Sequence, residues 1–343
     1  KPKLKWRRVV LHAENKTLYA IVDLAIHPCT FDFMHTAVNA DMARRANNLE
    51  ELHFVFLLGP NESFRQQTPK DMALSQAEKL WRVRQILTPI AWMMPACKGV
   101  STYLNRIEAA KEIAMLPPAI MFPNTYHINQ PIGAFMLQQV IEIYNQVKDK
   151  GITPVVMQAQ EGALHYVDRW IEANEIEPSK LVTLTVRQSR VESARNSNIQ
   201  SFTRFAKKLK QQGYYPVMLH DTDVASVAPP EYYKDDQAVP YLPGPVNLEL
   251  RAALYQRAFA SVSHNGAAAA LNFFMPDTRY ACFVPVDALP EVIKDEGMDG
   301  QKRLLGVGPG EQYEFSNPHQ KYVWEKCTAT NLEKAFEELV DDR

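Results

Sequence analysis

Short apolar runs rich in β-branched residues recur along this chain, and most are followed by a stretch whose apolar residues fall at helical spacing. In the first part, LYAIVDLAI (18–26) precedes FDFMHTAVNADMARRANNL (31–49). LHFVFLLGP (52–60) closes on Gly59-Pro60 before QAEKLWRVRQILTPIAWMM (76–94), a helix expected to end at Pro89. RRVVLHA (7–13) also reads as a strand. PAIMFP (118–123) reads as a short strand, and IGAFMLQQVIEIYNQVKDKG (132–151) as a helix stopping at Gly151. The second half repeats the scheme, with TPVVMQA (153–159), LVTLTV, YYPVMLHD, ASVSHN and RYACFVPV as strands. Between them lie the helices ALHYVDRWIEAN, NIQSFTRFAKKLKQQG, LELRAALYQRAFA and GAAAALNFF. Such alternation predicts parallel sheets covered by helices. The expected fold is α/β, with two Rossmann-like doubly wound domains over residues 1–150 and 151–343, facing a cleft. The last helix, NLEKAFEELVDD, is free by its sequence to pack on either half.

A length of 343 residues suits two domains, and an apolar fraction of 46% with 22% charged residues is that of a globular protein. The net charge of −1 gives no overall field for nucleic acid or an anionic membrane, so an anionic ligand needs a local basic cluster. Cys29, Cys97, Cys282 and Cys327 are isolated, without zinc spacing, and read as reduced thiols of a cytoplasmic protein. No run approaches the ~20 apolar residues of a membrane span. The start KPKLKWRR fits a piece of a larger multidomain protein, and its basic residues admit contact with the inner membrane face.

In open α/β sheets, ligands sit beyond the carboxyl ends of strands, at helix N-termini. VTLTVRQSRVESARNSNIQSF (182–202) is such a place. Arg187 stands just past a strand, Arg195 and Asn196 precede Ser197, and Ser197-Asn198-Ile199-Gln200 fits an S-x-x-Q capping box that would start the helix. Guanidinium groups beside free backbone amides suit a phosphate or carboxylate, although arginines that are solvated, or paired with Glu192 and Asp221, are the plainer alternative. SVSHNGAAAALNFF (261–274) offers His264, Asn265 as a cap and Gly266 for close ligand approach, against the alternative of a tight helix start made for packing. Asp221-Thr222-Asp223 could hold a divalent ion or simply begin the long Pro- and Tyr-rich loop 224–245. In the first half, Asp32, His35, Asp41, Arg65, Asn124, Tyr126 and His127 lie near strand ends, where an acceptor and a base would be needed.

The order TLTVRQS, ARNSNIQSFTRFAKKL, GYYPVMLHDTD and LELRAALYQRAFASVSHNGAAAAL resembles the C-terminal half of a group of bacterial glycosyltransferases of GT-B type. The stretches FDF, ADMARRANNLEELHFVFLLGP and WRVRQILTPI are similar to its N-terminal half, so the likeness covers most of the chain. Arg187, Arg195, Asn196, Ser197, Asp221, Asn265 and Gly266 match the pattern. Gln188 departs from it, since an acid is usual there, and Ala267 stands where proline is common.

The resemblance implies transfer of a sugar from a nucleotide-sugar donor to a glycan or other hydroxyl acceptor, in bacterial surface polysaccharide or glycoconjugate synthesis. No metal and no further cofactor is expected, and nucleic acid is not a partner. The donor would be bound by Arg187, Arg195, Asn196, Ser197, Asp221, His264, Asn265 and Gly266. Arg187 would also serve catalysis, with Asp32 or His127 as base. Two alternatives stand beside it: a sugar-nucleotide epimerase using His264, Glu161 or Asp221, and a non-catalytic nucleotide-sugar-binding domain, which Gln188 would suit.

Overall fold

A computed structural model describes residues 16–189, 192–222, 237–284 and 286–341. The expected strand at 7–13, Arg190, Asp223 and most of the loop 224–245 lie outside the described residues.

Two parallel sheets carry the chain. The first has the order β3-β2-β1-β4, from β1 (Thr17–Asp23), β2 (Glu51–Leu57), β3 (Cys97–Tyr103) and β4 (Met121–Phe122). The second comprises β5 (Leu181–Thr185), β6 (Tyr215–Leu219), β7 (Val239–Pro240), β8 (Ala260–His264), β9 (Tyr280–Phe283) and β10 (Gln320–Val323). Its order is β10-β9-β8-β5-β6-β7, every pair parallel. Counted from its own first strand this is 6-5-4-1-2-3, the doubly wound order of dinucleotide-binding sheets seen from the other edge. The order reverses between β5 and β8, and between β1 and β4 in the first sheet. Those two breaks are where such folds leave a crevice.

Strand side chains alternate between two buried layers, which is why the strand sequences read as continuous apolar runs. Leu18, Ala20, Val22, Phe54 and Phe56 join one cluster, while Tyr19, Ile21, Val55 and Leu57 point to another. In the second sheet Leu181, Val217 and Leu219 enter that same first cluster, and Val182, Leu184 and Met218 face a third. A single apolar layer therefore runs from one sheet to the other. The helices Phe33–Ala46 and Leu137–Val147 pack within it, and His35 meets Phe274 of the second unit at 5.9 Å between ring centroids.

Several sequence expectations change. TPVVMQA is extended but joins no strand. The Met157 amide donates to the Phe274 carbonyl and the Gln158 amide to the Met93 carbonyl, so its hydrogen bonds are taken by helix ends rather than by a ladder. The helix at 76–92 does not stop at Pro89. A π-turn over Val83–Leu87 widens the ladder just before the proline, which then needs no donor of its own. β3 and the helix Arg106–Ile113 went unread in the sequence. The final helix, Ala329–Val340, packs on the second unit and not back on the first. Phe336 meets Phe205 and Tyr214 edge-on.

Gly306 ends the helix Gly297–Leu305 at φ 78°, and a Cβ there would fall 2.2 Å from Cδ1 of Ile141 and 3.2 Å from the Gln138 backbone. Gly306→Ala should therefore cost roughly 2–4 kcal/mol, combining a left-handed backbone with overpacking between helices. Urea denaturation measures this, and an unchanged midpoint would refute it.

Candidate functional site

The break between β5 and β8 gathers most of the residues singled out in the second half. β5 continues through Val186 to Arg187, whose amide donates to Oγ of Ser197 at 2.8 Å, while Ser197 N–H returns a bond to the Arg187 carbonyl at 2.9 Å. Ser197 thus clamps the loop to the strand end and does not cap the helix. The cap is one residue later, where Asn198 accepts from the Ser201 amide and starts the helix Ile199–Gln211. Asn196 closes the loop: its Oδ1 accepts from Arg187 Nη1 at 2.6 Å and from Ser189 N–H at 2.9 Å, and its Nδ2 donates to the Ser189 carbonyl. Arg187 also donates to the Glu192 carbonyl, and Arg195 pairs with the Glu192 carboxylate at 2.7 Å. Glu192 itself sits at φ 55°, a strained position for a residue with a side chain.

Arg187 is only 8% exposed, so it acts first as the pin of this loop. Gln188 does not need to be an acid for that purpose. Its amide donates to Asp221 Oδ2 at 3.2 Å and its side chain bonds the His220 ring, while Asn196 and Glu192 hold the arginine. Gly266 adopts extended backbone that any residue can take, and a Cβ there would meet Arg187 Cβ at an ordinary 3.6 Å. Protein packing does not impose glycine here. Asn265 does not cap the next helix, since Gly266 occupies that position without a side-chain bond. The Asn265 amide is held by the Phe283 carbonyl.

A pocket of about 260 Å³ opens beside this loop, lined by Arg195, Asn196, Asn198, His264, Asp287 and Lys326 among others. His264 is buried, and Nδ1 has no hydrogen-bond partner. Burial, followed by the nearby Arg187 and Arg195, lowers its pKa to about 4, so the ring is neutral at pH 7. Asp287, Lys326 and Thr328 were missed in the sequence. Thr328 ahead of NLEKAF carried an N-cap signal, but nothing local told that it would reach a strand end more than sixty residues earlier.

The first sheet has its own cluster. Asp23, at the end of β1 and fully buried, takes a bidentate bond from Arg106 at 3.0 and 2.6 Å and accepts from Tyr126 Oη at 2.7 Å. Arg106 further donates to the Leu58 and Ile128 carbonyls, joining the loops after β1, β2 and β4. Above it lies a larger pocket, about 560 Å³, lined by Gly59, Asn61, Glu62, Leu104, Ile107 and Asn129 among others. Asn61 and Glu62 both sit at positive φ. Asp32 precedes the helix Phe33–Ala46 and accepts from Thr30 Oγ1 at 2.7 Å. His127 is exposed in the loop after β4 and accepts from the Asn129 amide. Among the described residues neither hydrogen-bonds to the second unit's cluster. Asp41 is structural, paired with Arg44 and Arg45, and Arg65 pairs with Asp71. His35 is buried, its Nδ1 bonded to the Phe135 carbonyl. The described residues contain no cluster of three or more potential metal ligands.

No protein-family model matches the chain, and no curated protein matches its sequence. Solved structures do. The glycosyl transferase family 9 protein from Veillonella parvula DSM 2008 aligns with a TM-score of 0.51 at 11% identity, over 96% of this chain and 98% of that one. The E. coli ADP-heptose lps heptosyltransferase II aligns with a TM-score of 0.40 at 10% identity, over 78% and 84%. The two-unit fold is shared with the first of these along nearly its whole length.

Four buried histidines set a pH dependence, and burial lowers the pKa of His35 as it does the other three. His27, His220 and His264 each have a pKa lowered to about 4, chiefly by burial, whereas an unfolded histidine takes its proton near 6.5. Below pH 6.5 the unfolded chain binds more protons than the native one, so stability falls as the pH falls. Each histidine removes about 1.4 kcal/mol per pH unit until its own folded value is reached. The urea midpoint should drop clearly between pH 7 and pH 5, and His264→Gln should flatten that slope. A level midpoint over this range contradicts the assignment.

Proposed function

We propose that this protein is a glycosyltransferase. It moves a sugar from a nucleotide-sugar donor, bound at the carboxyl edge of the second sheet, to a hydroxyl acceptor bound at the first. The setting is synthesis of bacterial surface polysaccharide or glycoconjugate. One observation carries the reading: the strand-order break between β5 and β8 coincides with the cluster of Arg187, Arg195, Asn196, His264 and Gly266. Ligands of doubly wound sheets bind at that break. The fold shared with a protein whose name is glycosyl transferase family 9 supports the same class.

In the reaction the acceptor oxygen forms a bond to the donor's anomeric carbon as the carbon–oxygen bond to phosphate breaks. The nucleotide leaves with that electron pair, and the acceptor proton goes to a base. Arg195 stands where it can offset the charge gathering on the leaving phosphate, and Arg187 and Asn196 hold it there through the shared loop. Asp32 or His127 takes the acceptor proton: Asp32 begins the helix whose His35 meets Phe274 of the second unit, and His127 lies beside Ile128 and Asn129 of the first unit's pocket. The 560 Å³ pocket of the first unit suits the acceptor. It lies within the usual size range of ligand sites and mixes amides with apolar Leu104 and Ile107. Among the described residues no helix is long and apolar enough to cross a membrane.

Arg195→Ala should weaken nucleotide binding by about tenfold to a hundredfold, the equivalent of roughly 1.5–3 kcal/mol for a charge-assisted bond, with a small change in melting temperature. Arg187→Ala should lower both affinity and melting temperature, since it also opens the loop. Calorimetric titration beside melting curves tests the pair, and wild-type affinity in Arg195→Ala would refute the donor site. EDTA should leave nucleotide binding and transfer largely intact. Loss on chelation with recovery on Mn²⁺ or Mg²⁺ would demand a metal-dependent mechanism instead.

A further inference from the structure

The loop after β2 holds two consecutive residues in a strained conformation. Asn61 (φ 54°) and Glu62 (φ 56°) both lie in the left-handed region, and neither is glycine. Such strain persists only where the surroundings fix it, and it gathers at binding sites. Here the Gly59 amide donates to the Ser63 carbonyl at 2.8 Å and closes the turn. Gln76 Nε2 donates to the Glu62 carbonyl at 3.2 Å from the helix that follows. Glu62 is thereby held on the wall of the 560 Å³ pocket.

The lining of that pocket is rich in unspent oxygen acceptors. Among the described residues the side chains of Asn61, Glu62 and Asn129 have no hydrogen-bond or ion-pair partner, and all three line the space. Asn105 is already used, its Oδ1 taken by the Ile107 and Glu108 amides. Arg106 is met by Asp23, so the one uncompensated charge of the lining is the Glu62 carboxylate. Glu108 and Lys111, of opposite charge, stand on the neighbouring helix outside the lining. Leu104 and Ile107 are 53% and 71% exposed and supply an apolar wall that suits the C–H face of a sugar ring. Among the described residues no aromatic ring lines the pocket, so a cation there is met by oxygen and not by a π face.

We infer that this pocket recognises an amino sugar, whose ammonium group donates to Glu62 and to the side-chain oxygens of Asn61 and Asn129 while its ring lies on Leu104 and Ile107. Under the transferase reading above, on which this role rests, the amino sugar is the terminal residue of the acceptor. An ammonium group carries donors only, which matches a wall of acceptors. A phosphorylated or carboxylated sugar brings a second anion to Glu62 with no free cation to answer it, and is turned away. A neutral sugar fits the space but lacks the ion pair.

Glucosamine, glucose and glucuronate are the probes, titrated by NMR into the whole chain with labelled leucine and isoleucine methyl groups. The Leu104 and Ile107 methyl signals should move on binding. Glucosamine should bind about threefold to fivefold more tightly than glucose, the scale of an exposed ion pair, and glucuronate most weakly. Glu62→Gln should bring glucosamine down to the glucose value. Glu108→Gln, which removes the same charge just outside the lining, should keep the wild-type order. Both residues are exposed, so both variants should fold. Equal affinity of wild type for glucosamine and glucuronate overturns the site, as does a preference that survives Glu62→Gln or is lost equally in Glu108→Gln. Assayed separately, sugar transfer tests the enzyme. Transfer to a neutral or acidic glycan that Glu62→Gln leaves unaltered sinks the amino-sugar site alone. Glu62-dependent glucosamine binding without transfer from any nucleotide sugar sinks the glycosyltransferase reading and leaves the amino-sugar pocket standing.

Discussion

Asn196 holds the working edge of the second unit together. One side-chain amide accepts from Arg187 and from the Ser189 backbone and donates to the Ser189 carbonyl, so the loop leaving β5 is closed on itself. Because Ser197 clamps the same loop to the strand end, the position of Arg187 follows from backbone geometry and not from a flexible rotamer. Arg195 then hangs from Glu192, whose left-handed backbone turns the chain back toward the sheet. Every cationic group of the candidate donor site in this loop depends on that knot.

The first unit solves a related problem with charge instead of amides. Asp23 is buried at a strand end, and a lone carboxylate there would be costly. Arg106 answers it with two bonds and uses its remaining donors on two further loops. Arg106, paired with Asp23, and Glu62 line the first unit's pocket, while Arg195, Lys326 and Asp287 line the second unit's.

The sequence exposed what depends on local patterning. Doubly apolar strands, helix periodicity and the Arg187–Ser197 connection were all visible, because burial on both faces of a parallel sheet leaves a continuous apolar run. Its failures have particular causes. TPVVMQA has strand composition but no neighbouring strand, and only the tertiary fold decides that. Pro89 is a breaker in an ordinary helix and is tolerated after a π-turn, which has no plain sequence signature. The Asp23–Arg106 pair joins residues 83 apart, and the pocket at His264 needs Lys326 and Thr328 from the far end of the chain. Ser197 was read as a cap since its spacing fits, yet its hydroxyl found a nearer amide on Arg187.

The unpaired segment 153–159 has a mechanical meaning. Consecutive amides of Met157 and Gln158 reach opposite ways, one to Phe274 in the second unit and the next to Met93 in the first. Pulling the units straight apart would stretch both bonds at once and tear the shared apolar layer. The segment thus ties the two units at one point, beside the Lys148–Glu314 ion pair and the Tyr144–Phe315 ring contact that also join them.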